Sequence, residues 1–307
     1  MSTQIKVSIL VPCYNVEKFL RTCLDSIVQQ TLREIEILCI NDGSTDDTLS
    51  ILSRYAQSDA RVKVINKKNS GYGDSMNIAL NMATGEYIGI VESDDFCEKT
   101  MFEVLYRNAK IYDLDISRCN YFFLVNGEDL PANLMNKSVK KNVVIKPLND
   151  FAIFFQPPSI WAAIYKTKWL RSNSIKFLTT PGAAFQDISF SFKTYLMAEK
   201  FMMIEDCLLH YRQHSTNSIK SSGKIFSVSD EWQECVRYVH EHNKFRDTKQ
   251  LILPLSYNHY RWNYNRLEAP QAKLFLSRWQ LDWKQFISQG CQMKMASIET
   301  RLVFFLF

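Results

Sequence analysis

Through the first third of the chain, short apolar runs alternate with stretches whose apolar residues recur at helical spacing. Val7 to Val11 is a β-branched run stopped by Pro12, which reads as a buried strand. Phe19, Leu20, Cys23, Leu24, Ile27 and Val28 then mark one face of a helix. Asn15 stands where its cap would be, with Glu17 in its first turn. Ile35 to Ile40 is a second strand, and the turn Asn41 to Asp46 leads into a helix carrying Leu49, Leu52, Tyr55 and Ala56. Val62 to Ile65 is a third strand. A helix follows from about Asp74 to Ala83, with Gly85 as its C′ residue. Tyr87 to Val91 is a fourth strand and runs into Glu92-Ser93-Asp94-Asp95.

Strands alternating with helices in this way predict an α/β fold with a parallel sheet flanked by helices. In such sheets the ligand lies beyond the carboxyl ends of the strands. Three polar clusters fall at those ends: Tyr14-Asn15, Asp42-Gly43-Ser44 and Glu92-Ser93-Asp94-Asp95. After Asp115 the alternation fades. Ile116 to Val125 reads as a strand, 126–146 as a loop with Lys137, Lys140 and Lys141, and 148–155 and 190–199 as helical. From Ile225 onward the chain reads mostly helical, with Trp232, Trp262, Trp279 and Trp283. There is no internal repeat.

Composition adds exclusions. Across 307 residues, 46% hydrophobic and 22% charged content is ordinary for a globular protein rather than a disordered one. A net charge of +5 without a clustered basic signal argues against nucleic-acid binding. It is compatible with anionic small substrates or brief contact with an anionic membrane. None of the 8 cysteines forms a C-x-x-C pair, and they read as reduced structural thiols of a cytoplasmic protein. The polar N-terminus is no secretory signal, and no apolar stretch is long enough to span a bilayer.

The acidic quartet carries the sharpest chemistry. Three carboxylates in the four positions Glu92 to Asp95 repel one another unless a cation or solvent compensates. On a strand end Glu92 and Asp94 face the same way and can address one Mg²⁺ or Mn²⁺; alternatively this is a solvated turn with Asp95 capping the next helix. Asp42, in a glycine-containing turn after a strand, either accepts a hydrogen bond from a base N–H or only shapes an Asx turn. Tyr14 can stack on a base. Asn69-Ser70-Gly71-Tyr72-Gly73-Asp74 lacks the third glycine of a dinucleotide fingerprint, so it offers backbone approach to a ligand rather than evidence for NAD.

Taken together, Val7 to Asn15, Asn41 to Asp46, Asn69-Ser70-Gly71 and Glu92 to Asp95 resemble, in order and spacing, the family 2 inverting glycosyltransferases of the GT-A fold. The resemblance implies a nucleotide-sugar half at 1–115, an acceptor-binding and catalytic half at 116–223, and a C-terminal helical region at 224–307. It implies that Pro12, Tyr14 and Asp42 line the nucleobase pocket, that Asp42 reads uracil, and that Asn15 and Glu17 lie near it. Asn69, Gly71 and Ser93 fall in the same motifs. Asp94 becomes the metal carboxylate and Asp95 a neighbour near ribose or metal. Glu92 stands where the family's D-x-D motif has its first Asp, and Met76-Asn77 where many members have Arg-Asn, which leaves Asn77 as a phosphate or sugar contact.

In the second half, Pro181 to Asp187 resembles the segment supplying the catalytic base, with Gln186-Asp187 where many relatives have Glu-Asp. Asp187 is the expected base, or the N-cap of a helix from Ile188, or both; Gln186 is assigned to the acceptor. His210 to Ser218 resembles the loop that folds over the diphosphate, with Arg212 and Ser218 on phosphate and His214 on metal or diphosphate. Trp161 either stacks on an acceptor sugar or packs in the core. The expected activity is metal-dependent transfer from a UDP-sugar to a glycan or lipid-linked saccharide, in bacterial capsule or lipooligosaccharide-type synthesis at the cytoplasmic side of the membrane. The rival readings are a sugar-nucleotide nucleotidyltransferase and an inactive nucleotide-sugar-binding subunit. Trp279, Trp283, Phe286 and the end of the chain from Leu302 to Phe307 pack on the catalytic domain, form a dimer, or touch a membrane.

Overall fold

The computed structural model describes residues 4–132, 138–213 and 224–292. Its core is one mixed sheet in the order β3-β2-β1-β4-β9-β6-β10-β5, with β7 beside β6 and β8 beside β10. The strands are β1 (Val7–Cys13), β2 (Ile35–Asp42), β3 (Val62–Lys67), β4 (Tyr87–Ile90), β5 (Phe96–Cys97), β6 (Ile116–Val125), β7 (Glu128–Pro131), β8 (Val144–Ile145), β9 (Ala163–Lys166) and β10 (Phe201–Arg212). The helices are α1 (Leu20–Val28), α2 (Thr48–Ser58), α3 (Tyr72–Met82), α4 (Met101–Ile111), α5 (Thr167–Ser172), α6 (Gln186–Met197), α7 (Ser227–Glu241), α8 (Phe245–Thr248), α9 (Ile252–Asn265) and α10 (Ala269–Ser288).

The β1–β4 half is parallel, as its alternation with helices requires: β1 lies between β2 and β4, and β2 pairs with β3. Both β1 and β2 are buried along their whole length, which is why they read as apolar runs rather than alternating ones. The second half departs from a parallel sheet. β9 runs antiparallel to β4 and β6, and β5 antiparallel to β10, while β6 and β10 remain parallel. Antiparallel neighbours need no crossover helix, and β6 and β7 join directly through Asn126-Gly127.

One buried charge pins the parallel half. Glu36 in β2 accepts hydrogen bonds from Ser8 Oγ at 2.6 Å and from Thr84 N and Oγ1 at 2.7 Å, and pairs with Lys63 Nζ at 2.6 Å. Burial alone would raise its pKa; Lys63 and the hydroxyl and amide donors override it and hold the carboxyl at about 2. Gly85 belongs to this knot and is no C′ residue. Ala83 ends α3, and a Cβ on Gly85 would stand 2.6 Å from Ser8 N.

Four further expectations are corrected. α1 starts at Leu20 with no side-chain cap; Asn15, at φ 52, accepts Thr45 N on its side-chain Oδ1 at 2.8 Å instead. Asp95 caps no helix, because β5 follows it directly and α4 starts only at Met101. His210 to Arg212 ends a twelve-residue strand rather than forming a loop. The helical stretch at 148–155 is two 3-10 turns, Pro147–Asn149 and Phe151–Phe155. The C-terminal helices pack: Trp283 and Phe286 are fully buried and Trp279 is 4% exposed, with Trp279 and Trp283 both against Tyr257. No helix among the described residues is long and apolar enough to cross a membrane.

Candidate active site

At the carboxyl ends of β1, β2 and β4 the chain forms a cleft of about 450 Å³. Pro12, Cys13 and Tyr14 reach it from β1, Asp42 from β2, Asn69, Tyr72 and Ser75 from the β3–α3 connection and helix, and Glu92, Ser93 and Asp94 from the end of β4. Gly182, Ala183 and Lys224 close the opposite side. The three polar clusters separated in sequence therefore do meet at one rim.

The β1 and β2 loops are laced together. Asn15 N donates to Ser44 Oγ at 3.1 Å, Val16 N to Thr48 Oγ1 at 2.9 Å, and Asp47 N to Glu17 Oε2 at 2.9 Å. Asn15 and Glu17 thus hold the rim rather than line the cleft. What they support is Tyr14, whose ring is 51% exposed at the mouth.

Asp42 is nearly buried and serves as an anchor. Its Oδ1 accepts Lys67 Nζ at 2.5 Å and Ser70 N at 2.9 Å, and its Oδ2 accepts Gly71 N at 2.9 Å. A carboxylate offers about four lone-pair positions, so one remains for a ligand N–H. Gly71 is the seam between the two sides of the cleft. It has φ +96, and a Cβ there would stand 2.9 Å from Gly182 N. The next residue, Tyr72, donates its N–H to Gly182 O at 3.0 Å.

On the acidic side, Glu92 turns away from a simple ligand role. Its Oε1 accepts the Tyr72 hydroxyl at 2.7 Å. Burial raises its pKa, the Tyr72 hydroxyl opposes this, and the charges of Asp94 and Asp187 add to it, leaving it at about 8. Asp95 is buried; its Oδ1 accepts Arg212 N at 2.8 Å and its Oδ2 has no hydrogen-bond partner among the described residues. Burial and then Asp94 push its pKa well up. Arg212 Nε donates to Asp94 O at 3.0 Å, and its guanidinium lies over the Phe19 ring at 5.0 Å. A cationic fork is thereby fixed beside Asp94.

Asp187 sits in the first turn of α6, behind Phe185 as the N-cap position, so it is not itself the cap. Burial raises its pKa to about 6, against backbone N–H donors at the helix start. Its charge adds to the burial that raises the pKa of Tyr72, Glu92 and Tyr211, which ties it to the acidic side of the cleft. Behind it, Glu231 of α7 accepts Ser189 N at 3.1 Å.

Three expected contacts point elsewhere. Asn77 forms a reciprocal pair with the Phe177 backbone, both bonds 2.9 Å, and no cleft contact. Gln186 is 2% exposed; its Oε1 accepts Ala184 N at 2.6 Å and its Nε2 donates to Thr180 Oγ1 at 2.8 Å, so it shapes the 180–184 turn. Trp161 is 9% exposed and packs at centroid distances of 4.6 Å from Tyr121 and 4.8 Å from Tyr211, which is the core-packing alternative. His214 and Ser218, with Lys137 and the end of the chain, lie outside the described residues.

Tyr72, Lys67 and Lys224 were not singled out from sequence. Lys67 ends the β3 run and Tyr72 sits between two glycines, so position gave some signal; Lys224 lies in no pattern.

Among the described residues no three His, Cys, Asp or Glu side chains converge on one point. The chemistry of the donors still suits a hard divalent cation held by few protein ligands. Glu92, Asp94, Asp95 and Asp187 crowd carboxyl groups at one rim, which adds to burial in raising the pKa of Glu92 and Asp95, and Mg²⁺ commonly takes one or two carboxylates plus substrate phosphates.

A family model described as glycosyl transferase family 2 matches residues 8–174. The chain is 32% identical over 219 residues to glycosyltransferase GlyA of Streptococcus pneumoniae, covering 67% of this chain and 30% of that protein. It is 31% identical over 214 residues to the uncharacterized glycosyltransferase EpsJ of Bacillus subtilis, covering 68% and 61%. These relatives therefore extend well beyond the part matched. Among solved structures, S. aureus TarS 1–349 in complex with UDP-GlcNAc superposes with a TM-score of 0.61 at 20% identity, over 94% of this chain and 93% of that one. At that identity the likeness is one of fold, the GT-A arrangement of a central sheet flanked by helices.

Proposed function

This chain belongs to glycosyl transferase family 2, and from that premise we propose that it is an inverting transferase moving a sugar from a UDP-sugar to a hydroxyl of a glycan or lipid-linked saccharide. The observation that carries the reading is the single cleft joining an aromatic and carboxylate end, Tyr14 and Asp42, to an acidic end at Asp94, with Asp187 acting electrostatically on that acidic end. UDP as the nucleotide is supported by the fold's likeness to a structure solved with UDP-GlcNAc.

In this reading the uracil ring stacks on Tyr14 and donates its N–H to Asp42. Lys67 holds Asp42 in place. The diphosphate runs toward Arg212, whose planar fork suits phosphate oxygens. Asp94 would hold a Mn²⁺ or Mg²⁺ ion, which when bound offsets the charge growing on the departing diphosphate. His214 is proposed for metal or diphosphate and Ser218 for phosphate; both lie outside the described residues.

Asp187 is the proposed base. With its pKa at about 6 it is largely ionised at neutral pH yet basic enough to accept a proton. It takes the proton of the acceptor hydroxyl as that oxygen bonds to the anomeric carbon. The bond from that carbon to the diphosphate oxygen breaks on the opposite face, its electron pair leaves with UDP, and the centre inverts.

The wider setting is proposed as bacterial surface-polysaccharide synthesis of the capsule or lipooligosaccharide type, at the cytoplasmic face of the membrane. Peripheral contact is supported by the outer face of α10, where Leu274 and Leu281 are 60% and 65% exposed beside Lys273 and Lys284. A thermal-shift screen of nucleotide sugars with Mn²⁺ tests the donor assignment. Stabilisation by UDP and UDP-sugars above other nucleotides is expected, and no preference for UDP overturns that part of the reading.

A further inference from the structure

Trp262, near the end of α9, is 49% exposed, although a tryptophan gains more than most side chains from burial. Its indole meets the Phe185 ring edge-on, with centroids 5.7 Å apart and planes at 84°. Arg266, one helical turn on, places its guanidinium 5.4 Å from the Trp262 ring and 5.3 Å from the Phe185 ring. The three side chains pack into one corner.

Two contacts join that corner to the cleft. Asn263 donates to Ile225 O at 2.9 Å and accepts Arg266 Nε at 2.9 Å. Lys224, the neighbour of Ile225, donates to Ala183 O at 3.1 Å, and both Lys224 and Ala183 line the cleft. Phe185 also precedes Gln186 and Asp187 directly, and it holds a left-handed backbone at φ 66, a costly conformation for a bulky side chain. The aromatic corner is therefore continuous with the Ala183–Lys224 side of the cleft, and in sequence with the segment that leads into Asp187. The nucleobase stack proposed at Tyr14 belongs to the β1 side.

We propose that the Trp262–Arg266–Phe185 corner is an acceptor subsite that binds a saccharide ring adjacent to the one whose hydroxyl reacts. The assignment rests on reading Asp187 as the base. A pyranose ring has an apolar C–H face rimmed by hydroxyls. An exposed indole face offers the apolar surface, and Arg266, with Nε and Nη2 on Asn263 Oδ1, braces it from the side. The bulk of Phe185 and the cation over both rings hold the indole in place, so little side-chain freedom is lost when a sugar settles on it.

The test uses the full chain on an array of immobilised oligosaccharides, with the UDP-induced thermal shift measured on the same preparations. Wild type should retain a subset of the array. Trp262→Ala should lose retention by about tenfold or more, and Trp262→Phe, which keeps a ring face, should retain most of it. All should keep the UDP shift. Equal retention by Trp262→Ala, or no retention by wild type, overturns the proposal. So does a lowered melting temperature in Trp262→Ala with retention unchanged, which would mean that Trp262 packs against the chain's own segments. Loss of the UDP shift in wild type would count against the donor reading instead, separately from the retention comparison.

Discussion

The Asp42 carboxylate accepts the Gly71 N–H at 2.9 Å, so the side chain proposed to read the base also fastens the loop that forms the other side of the cleft. One residue thereby couples base recognition to the shape of the site. Asp42→Ala is expected to weaken UDP binding and to destabilise the fold together. It leaves the Ser70 and Gly71 N–H groups without their acceptor, at a cost of about 1–3 kcal/mol for each buried group left unpaired. Calorimetry with UDP and a melting curve measure the two effects; loss of binding with an unchanged melting temperature would contradict the anchoring role.

Gly71→Ala should separate the two sides of the cleft. The new Cβ would press on Gly182 N at 2.9 Å from a backbone at φ +96, and such strain costs about 1–3 kcal/mol. Donor affinity should fall although no ligand-contacting side chain changes. Normal affinity for UDP in this variant would mean that the seam does not shape the site.

The raised pKa of Asp187 gives a pH signature in activity and a second one in stability. As a base it must be ionised, so turnover should fall as pH drops through about 6 and level off above. For stability the sign is reversed. Its folded pKa lies above the ordinary carboxylate value, so the folded state binds this proton more tightly, and the resulting stability is lost as pH rises through about 6. Asp187→Asn should therefore raise the melting temperature at pH 8 more than at pH 5, relative to wild type. A larger gain at pH 5 would contradict the burial argument.

Glu231 supports α6 from behind. It is fully buried and accepts Ser189 N at 3.1 Å, in the turn that carries Asp187. Burial pushes its own pKa to about 8, so Gln is a close substitute near neutral pH. Glu231→Gln should leave turnover near wild type, whereas Glu231→Ala should lower kcat with little change in donor KM. A loss confined to donor KM would place the effect at the nucleotide instead.

The parallel half of the fold was legible because β1, β2 and β4 are buried on both faces and its helices on one, and each pattern has its own period. The rim was legible because the sheet brings the ends of β1, β2 and β4 together whatever their side chains do. Side-chain partners were not. Asn15 reads as a helix cap, yet its side-chain Oδ1 accepts Thr45 N, and Gly85 reads as a helix stop although its lack of a Cβ serves the approach to Ser8. Both errors come from local rules meeting contacts remote in sequence. For the same reason Glu231 and Lys224 carried no signal: their partners Ser189 and Ala183 lie about forty positions away. Trp161 and Trp262 show the limit of residue type, since both are candidate sugar platforms by identity, and the fold buries the first and exposes the second.

The most direct measurement of the central claim is UDP release from the UDP-sugar that most stabilises the chain, with Mn²⁺, comparing wild type with Asp187→Asn of verified fold at pH 8. The account predicts that Asp187→Asn binds UDP as wild type does but releases it from the sugar roughly 10²–10⁴-fold more slowly, the range a positioned general base supplies. Release at the wild-type rate by the folded variant would contradict it.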